Sequence, residues 1–307
     1  MKLPQKVTLV EVGLRDGLQN EKVFLSIQQR VEFAEHLIAS GLRRIELGAF
    51  VRTDWVPQMA GSAEIISQIL SQHGKKIQGS ALVPNERGLQ DALKTELKEV
   101  ALFGSASESF SKKNINCTIE ESFQKFDAVL KEAKKRKIKV RGYLSTCFYC
   151  PFEGRISEKK VVALAKRLYQ MGCFEISIGD TIGAATPAEV KSLFSKLKKA
   201  IPVKSLAGHF HDTRGMAVSN VLAAMEVGVS VFDTSLGGLG GCPYAPKATG
   251  NVATEDVVYM LEGFKIKTGI SLDKLIETNK WVSAQMQKSL PSKVGSVGRL
   301  APAPIVK

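Results

Sequence analysis

The stretch 205–212, SLAGHFHD, is a short buried run that ends in two histidines, and it decides both the fold and the chemistry expected of this chain. It is one of eight short apolar runs, which lie at 7–12, 43–50, 77–83, 99–106, 139–146, 174–181, 205–212 and 231–238. Each run is typical of a buried strand. Segments with helical spacing separate them, for example 26–40, 119–136, 157–171, 187–200 and 215–227. The chain is therefore predicted to alternate strands and helices.

The spacing of the runs predicts a closed barrel. Successive runs begin about 32 residues apart, which is the length of one strand-helix unit. Eight such units over about 260 residues predict an α/β fold, the (β/α)8 TIM barrel. An open doubly wound sheet is the alternative, but the chain has no Gly-x-Gly-x-x-Gly turn to favour it.

We expect one catalytic domain over 1–307, with the barrel at about 5–265 and further helices and a tail at about 266–307. Two helical patterns, 254–265 and 271–288, follow the last strand run. The Gly- and Pro-rich sequence after them predicts a flexible or lid-forming end.

Composition excludes several classes of protein. Of the 307 residues, 44% are hydrophobic and 24% charged, which indicates a packed globular chain and excludes disorder, collagen and coiled coil. The net charge of +13 favours anionic partners, but no basic run is interleaved with aromatic residues, so we expect no nucleic-acid partner. No stretch approaches the roughly 20 apolar residues of a membrane span. Five scattered cysteines predict a reducing, cytoplasmic location.

Reactive side chains collect where each predicted strand ends, which is where barrel enzymes have their active sites. The candidates are Glu11, Arg15, Asp16, Gln19, Asn20 and Glu21 after the first strand, Glu46 in the second, Asp180 at the end of the sixth, and His209, His211 and Asp212 in the seventh. Because these ends meet at one mouth, we expect a single site.

A metal centre is predicted within that mouth. His209 and His211 are two residues apart on a strand, so both point to the same side. Asp16 follows the first strand, and Asn251 follows the eighth strand beside it. Two imidazoles, a carboxylate and an amide oxygen favour octahedral Mg²⁺ or Mn²⁺, although zinc or cobalt is possible. A hydrogen-bonded histidine pair in the core is the alternative, and His36 and His73 are expected at the surface.

The cysteines divide into two kinds. Cys242 lies in the glycine-rich loop 237–250, which predicts a mobile lid with a proton donor, or alternatively a structural turn. Cys147 and Cys150 form a C-x-x-C pair, but the chain has no second pair to complete a zinc site. We therefore expect two packed or substrate-adjacent thiols there.

Six stretches over nearly the whole chain contain specific motifs. They are VEVGLRDGLQNE at 10–21, IELGAF at 45–50, WVPQM at 55–59, GDTIG at 179–183, HFHDTRG at 209–215 and GGLGGCPYAPKATGN at 237–251. The sequence thereby resembles the 3-hydroxy-3-methylglutaryl-CoA lyases, members of the DRE-TIM metallolyase superfamily. The resemblance implies a TIM barrel with a divalent metal that cleaves this acyl-CoA to acetyl-CoA and acetoacetate, in leucine degradation and ketone body formation. We also expect a homo-oligomer, a dimer.

The resemblance also assigns roles to residues. It implies metal ligation by Asp16, His209, His211 and Asn251. It implies a catalytic set of Arg15, Asp16, Cys242, His209 and Glu46, and substrate-binding roles for Arg15, Gln19, Glu11 and Asp180.

Four departures from the family pattern affect the substrate prediction: Leu14, Ala49, Arg214 and Lys247. They leave open a lyase for a longer 3-hydroxy-3-acylglutaryl-CoA. A Claisen-type synthase on the same barrel is a further alternative, but such enzymes tend to have Asn where Asp212 follows His211. The least favoured interpretation is a basic nucleic-acid-binding barrel, whose binding would weaken steeply with added salt.

Overall fold

A computed structural model of the chain describes residues 3–241 and 250–300. It contains a closed barrel of eight parallel strands in the order β1-β10-β9-β8-β5-β4-β3-β2, with a small antiparallel hairpin, β6 and β7, after β5. The strands are β1 (Thr8–Glu11), β2 (Arg44–Ala49), β3 (Gln78–Leu82), β4 (Glu99–Ser105), β5 (Lys139–Ser145), β6 (Tyr149–Cys150), β7 (Gly154–Arg155), β8 (Glu175–Asp180), β9 (Leu206–Phe210) and β10 (Val231–Thr234). The predicted TIM barrel is confirmed.

Helices between the strands, and three more among the described residues after the last strand, lie outside the barrel. They are α1 (Ile27–Ala39), α2 (Ser62–His73), α3 (Glu86–Ala92), α4 (Glu108–Ile115), α5 (Ile119–Lys135), α6 (Glu158–Met171), α7 (Pro187–Ala200), α8 (Ala217–Val227), α9 (Thr254–Gly263), α10 (Leu272–Met286) and α11 (Lys293–Val297). Local signals explain several boundaries. At α5 and α7, for example, Thr118 with Glu121 and Thr186 with Glu189 form reciprocal side-chain and backbone caps.

Alternation along each strand divides the core into two layers. On β5, Gly142 faces outward against Leu168 and Cys173, where a larger side chain would crowd the helix layer. Its neighbours Arg141 and Tyr143 face inward and contact the side chains of other strands. The barrel interior is consequently polar and charged, whereas the apolar core lies between the strands and the helices.

Two predicted strand boundaries need correction. The strand predicted at 231–238 ends at Thr234, because the chain then turns through a 3-10 segment, Leu236–Gly238. The strand predicted at 205–212 ends at Phe210, although His211 still pairs with Asn251 in an isolated bridge. Both corrections lie at the mouth of the barrel, where strands give way to loops.

The predicted flexible end is wrong for its first part. Ser292 is buried, its hydroxyl donates to Asp256 of α9 at 2.9 Å, and the short helix α11 follows directly. Val294 also donates its backbone N–H to Asp256 at 2.8 Å, so this segment is docked on the barrel. Across residues 3–241 and 250–300, no helix is long and apolar enough to cross a bilayer.

Candidate active site

A single π-helical turn, Gly13–Gly17, follows β1 and directs two predicted residues into the mouth of the barrel. Such wide turns are rare in proteins, and those that occur often lie at functional sites. Gly13 donates its N–H to Glu11 Oε1 at 2.8 Å, and a Cβ atom at this position would approach that oxygen to 2.6 Å, so a larger residue would displace the Glu11 carboxylate. The turn places Arg15 and Asp16 side by side, with Arg15 Nη1 2.5 Å from Asp16 Oδ1.

The histidine pair of β9 meets Asp16 across the lumen. His209 Nε2 lies 3.2 Å from His211 Nε2 and 3.9 Å from Asp16 Oδ2. One potential ligand atom from each of the three residues lies within 4.8 Å of the other two. Two imidazoles and a carboxylate that converge in this way are a suitable donor set for one divalent ion.

Asn251 completes the predicted ring of four side chains. Its backbone pairs with His211, which brings the amide beside the cluster, and its Nδ2 donates to Asp16 Oδ2 at 2.8 Å. Its Oδ1 is buried and makes no hydrogen bond with any described residue. A buried amide oxygen without a donor is costly, and a hard cation is a suitable partner for it. These four residues therefore fit a divalent metal.

Arg15 is the only described cation that two carboxylates of the mouth share. Its Nε donates to Glu46 Oε2 at 2.6 Å, and its guanidinium carbon lies 5.2 Å from the centre of the Tyr143 ring. Tyr143 donates its hydroxyl to the same Glu46 oxygen at 3.2 Å. Arg15 is 3% exposed and Glu46 is fully buried, so this cation is held rigidly at the edge of the cluster.

Charge balance keeps Asp16 ionised. Burial alone would raise the pKa of its carboxyl, but the guanidinium of Arg15, the imidazoles of His209 and His211 and the Asn251 amide lower it to about 2. Burial likewise opposes ionisation of Glu46, and its pKa stays raised even though Arg15 counters the effect. Asp16 is thus available as a carboxylate ligand over the whole neutral range.

Sequence reasoning missed the residues behind His209. Asp233 Oδ2 of β10 lies 3.1 Å from His209 Nδ1 and accepts from the hydroxyl of Ser177 at 2.6 Å. Arg141 forms an ion pair with it, Nη2 to Oδ1 at 2.8 Å. The signal was present in the sequence, because a charged side chain inside a buried strand must face a polar lumen and find a partner there.

Two predicted substrate-binding acids, Glu11 and Asp180, accept hydrogen bonds from the backbone of loops near the mouth. Glu11 is fully buried and accepts from Gly13 N and Leu236 N, while Asp180 accepts from Ala184 N and Ala185 N, both at 3.0 Å. Neither belongs to the cluster around Asp16. Gln19 is half-buried next to the π-helical turn, and its side chain makes no hydrogen bond with another described residue.

The remaining predictions divide between described and undescribed residues. Cys242 and Lys247 lie outside the described residues. Cys147 and Cys150 are free and buried, as expected of packed thiols, and Cys147 Sγ donates to the Leu144 carbonyl at 2.9 Å. Burial raises the pKa of the Cys147 thiol well above its usual range, which removes it as a nucleophile.

Among the departures from the family pattern, Leu14 and Ala49 are buried beside the mouth. Arg214 donates to the backbone carbonyl groups of Ile182 and Gly183, so it closes the loop after β8.

Known proteins resemble this chain over almost its full length. The HMGL-like family model matches residues 6–282. A hydroxymethylglutaryl-CoA lyase of Pseudomonas mevalonii is 50% identical over 95% of this chain and 96% of its own. A 3-hydroxy-3-isohexenylglutaryl-CoA/hydroxymethylglutaryl-CoA lyase of Pseudomonas aeruginosa is 46% identical over 95% and 97%. An HMG-CoA lyase structure from Acinetobacter baumannii, in complex with coenzyme A and 3-methylmalate, superposes with a TM-score of 0.93 at 37% identity, over 98% of each chain.

Proposed function

This chain belongs to the HMGL-like family, and from that premise we propose that it is a metal-dependent carbon–carbon lyase that cleaves 3-hydroxy-3-methylglutaryl-CoA to acetyl-CoA and acetoacetate. The observation that supports this function best is the convergence of Asp16, His209 and His211 within 4.8 Å at the mouth of the barrel. The chemistry requires loss of the tertiary hydroxyl proton, cleavage of the adjacent carbon–carbon bond and protonation of the thioester enolate.

Asp16, His209, His211 and Asn251 would hold the metal, and Mg²⁺ or Mn²⁺ suits this oxygen and imidazole set, with zinc or cobalt as further possibilities. When bound, a divalent ion supplies Lewis-acid polarisation of the substrate hydroxyl and fixes the orientation of the substrate. Asp16 or a neighbouring histidine accepts the hydroxyl proton. The low pKa of Asp16 keeps this residue ionised, as a metal ligand must be.

Arg15 stabilises the charge that develops as the bond breaks. The electron pair of that bond moves onto the acetyl thioester as an enolate, whose oxygen requires a positive partner. A buried guanidinium already fixed by Glu46 and Asp16 provides that charge without reorganisation. Gln19, at the end of the same turn, is proposed to contact the substrate. For Glu11 and Asp180 we propose an indirect role, in which they hold the loops around the bound substrate.

Cys242 is proposed to donate the proton that converts the enolate into acetyl-CoA. This proposal rests on the position of a single cysteine in a glycine-rich loop between Leu239 and Asn251. Cys242→Ser should lower kcat and leave metal affinity unchanged, because a hydroxyl is a much weaker acid than a thiol. Measuring kcat, metal affinity and melting temperature separates this from a structural role, and wild-type turnover in the variant would rule out the proton-donor role.

The direct test is an acyl-CoA cleavage assay with and without chelator. Chelation should abolish the release of acetyl-CoA, and Mg²⁺ or Mn²⁺ should restore it. Running 3-hydroxy-3-methylglutaryl-CoA beside a 3-hydroxy-3-acylglutaryl-CoA with a longer branch decides which acyl group the site prefers. Full activity in excess chelator would contradict the metal-dependent function.

Three further predictions accompany the function. We propose that the chain works as one catalytic domain over 1–307, that it forms a homodimer, and that it is cytoplasmic. Sedimentation of the purified protein checks the dimer. The acyl-CoA substrate also fits the basic balance of the chain, since coenzyme A contains phosphates.

A further inference from the structure

The geometry points to Asp233 as a positioning residue that fixes the ring and tautomer of His209, with Ser177 and Arg141 holding Asp233 in place. This inference rests on the proposed metal centre. It concerns three side chains that lie below the mouth, inside the barrel, and that need not touch substrate.

The two carboxylate oxygens of Asp233 contact different residues. Oδ2 lies 3.1 Å from His209 Nδ1 and accepts the hydroxyl of Ser177 at 2.6 Å. Oδ1 lies 2.8 Å from Arg141 Nη2, in an ion pair that is not aligned for a hydrogen bond. Asp233 and Arg141 are each about 1% exposed, so this arrangement is shielded from solvent.

The direction of the His209 bond follows from chemistry. A carboxylate only accepts hydrogen bonds, and the buried guanidinium of Arg141 favours that ionised form of Asp233. His209 Nδ1 must therefore be the donor, and the neutral ring has its lone pair on Nε2. That nitrogen faces His211 Nε2 at 3.2 Å and Asp16 Oδ2 at 3.9 Å, inside the proposed metal centre.

The ring of His209 is also restrained from a second direction. The edge of the Tyr143 ring lies against it, with ring centres 6.0 Å apart and planes at 79°. With the carboxylate on one edge and the phenol against its face, the imidazole has little freedom to flip. Partners that orient a ligand histidine in this way typically change metal affinity by about 10-fold to 100-fold when they are removed.

The barrel provides a matched control for Asp233. Glu175 of β8 is also a buried carboxylate, and it accepts from Arg141 Nε at 2.7 Å and from Arg44 at 3.0 and 3.1 Å. It contacts the same arginine as Asp233 but makes no contact with a histidine among the described residues. Glu175→Gln and Asp233→Asn therefore both replace a carboxylate that contacts Arg141 by an amide. Only Asp233→Asn alters a residue that also contacts His209.

The first measurement uses the unaltered, metal-free protein. Nitrogen-15 NMR of its histidine rings, at a pH high enough to keep them neutral, should show His209 protonated at Nδ1. The chain has four histidines, and His36→Gln, His73→Gln and His211→Asn variants assign the signals. A neutral His209 protonated at Nε2 would overturn the inference. Because no metal and no substrate are present, this result is independent of whether the chain cleaves an acyl-CoA.

The second measurement compares the variants. Asp233→Asn should weaken Mn²⁺ binding by about 10-fold to 100-fold and remove the Nδ1 preference of His209, whereas Glu175→Gln should change neither, even if both lower the melting temperature. Ser177→Ala should give a smaller loss of affinity, since one restraint on the carboxylate remains. Equal weakening by Glu175→Gln would assign the effect to general charge and reject the positioning role. If Asp233→Asn does not fold, the spectrum of the unaltered protein and the Ser177→Ala affinity decide.

Discussion

Two groups of buried or half-buried carboxylates lie near the same end of the barrel, and their oxygens have different partners. The lumen acids, Asp16, Glu46 and Asp233, each contact an arginine inside the barrel. The turn acids, Glu11, Asp180 and Glu255, accept backbone N–H groups of nearby turns, for example Glu255 from Gly237 N. None of the turn acids forms an ion pair with a described cation.

The pKa values of the two groups follow their partners. Burial raises the pKa of Glu11 to about 7, of Asp180 to about 6 and of Glu255 to about 8, because backbone donors offset desolvation only in part. Burial also acts on Asp16, yet Arg15 and the histidines lower its pKa to about 2. Glu46 is the exception among the lumen acids, since it must share Arg15 with Asp16. The hydrogen-bond partners of an acid near the barrel mouth therefore indicate its role. Contact with an arginine in the lumen indicates a part in the chemistry, and contact with backbone N–H groups indicates support of a loop.

The largest expected difference between the two groups is in metal affinity. Asp16→Asn removes a proposed ligand and should weaken Mn²⁺ binding by more than about 100-fold, beyond the loss caused by an outer partner. Asp180→Asn makes the same change at the same end of the barrel and should leave Mn²⁺ affinity near that of the wild type. Calorimetric titration of both metal-free variants measures this. Equal losses in the two variants would erase the distinction between lumen and turn acids.

The next effect is on turnover and concerns the cation that two lumen acids share. Arg15→Lys should lower kcat by about 100-fold or more, or roughly 2.7 kcal/mol, with little change in KM. Lysine retains the charge but loses the planar fork that donates to both Glu46 and Asp16. Steady-state kinetics test the prediction, and a variant with unchanged kcat would show that a point charge suffices.

The smallest effect is on stability and concerns a turn acid. The pKa of Glu255 in the folded protein, about 8, exceeds the ordinary glutamate value of 4.5 because the side chain is buried, so the folded state binds a proton that the unfolded state releases. The stabilising contribution of this proton is complete below about pH 4.5 and is lost as the pH rises through about 8.

Glu255→Gln removes this titration and should reduce the fall in unfolding free energy between pH 6.5 and 8 by roughly 1–2 kcal/mol. Urea unfolding of both proteins across this range provides the measurement. If the unfolding free energy of the wild type and of Glu255→Gln changed with pH in the same way, the pKa of Glu255 would not be raised in the folded protein.

Much of the fold was predictable because its signals are local. Apolar runs of strand length, at intervals of one strand-helix unit, predicted all eight barrel strands, and each observed strand lies within its predicted run. His209 and His211 could be paired because residues two apart on a strand face the same side. Asp16 and Asn251 could be added because the first and eighth strands of a closed barrel are neighbours, as β1 and β10 are.

The roles of Glu11 and Asp233 were not predictable in the same way. Glu11 is an acidic residue at the end of a strand, where active-site residues of barrel enzymes lie. Its oxygens, however, accept from the backbone N–H groups of Gly13 and of Leu236, which is 225 positions away in the sequence. Asp233 lies inside a predicted strand, and its partners Arg141 and His209 come from two other strands. In both cases the partner is distant in the chain, and no local pattern encodes it.

The sequence by itself therefore determined the barrel and the end of it at which reactive side chains collect, and it pointed to the residues of the proposed metal centre. Periodicity and residue type suffice for these, since strand geometry and barrel closure are general. Only the tertiary structure decided how each buried charge is used: Arg15 is shared by Asp16 and Glu46, Asp233 orients His209, and Glu11 holds a turn. The physical reason is that a buried charge needs a partner within hydrogen-bond distance, and closing the barrel is what brings partners from different strands together.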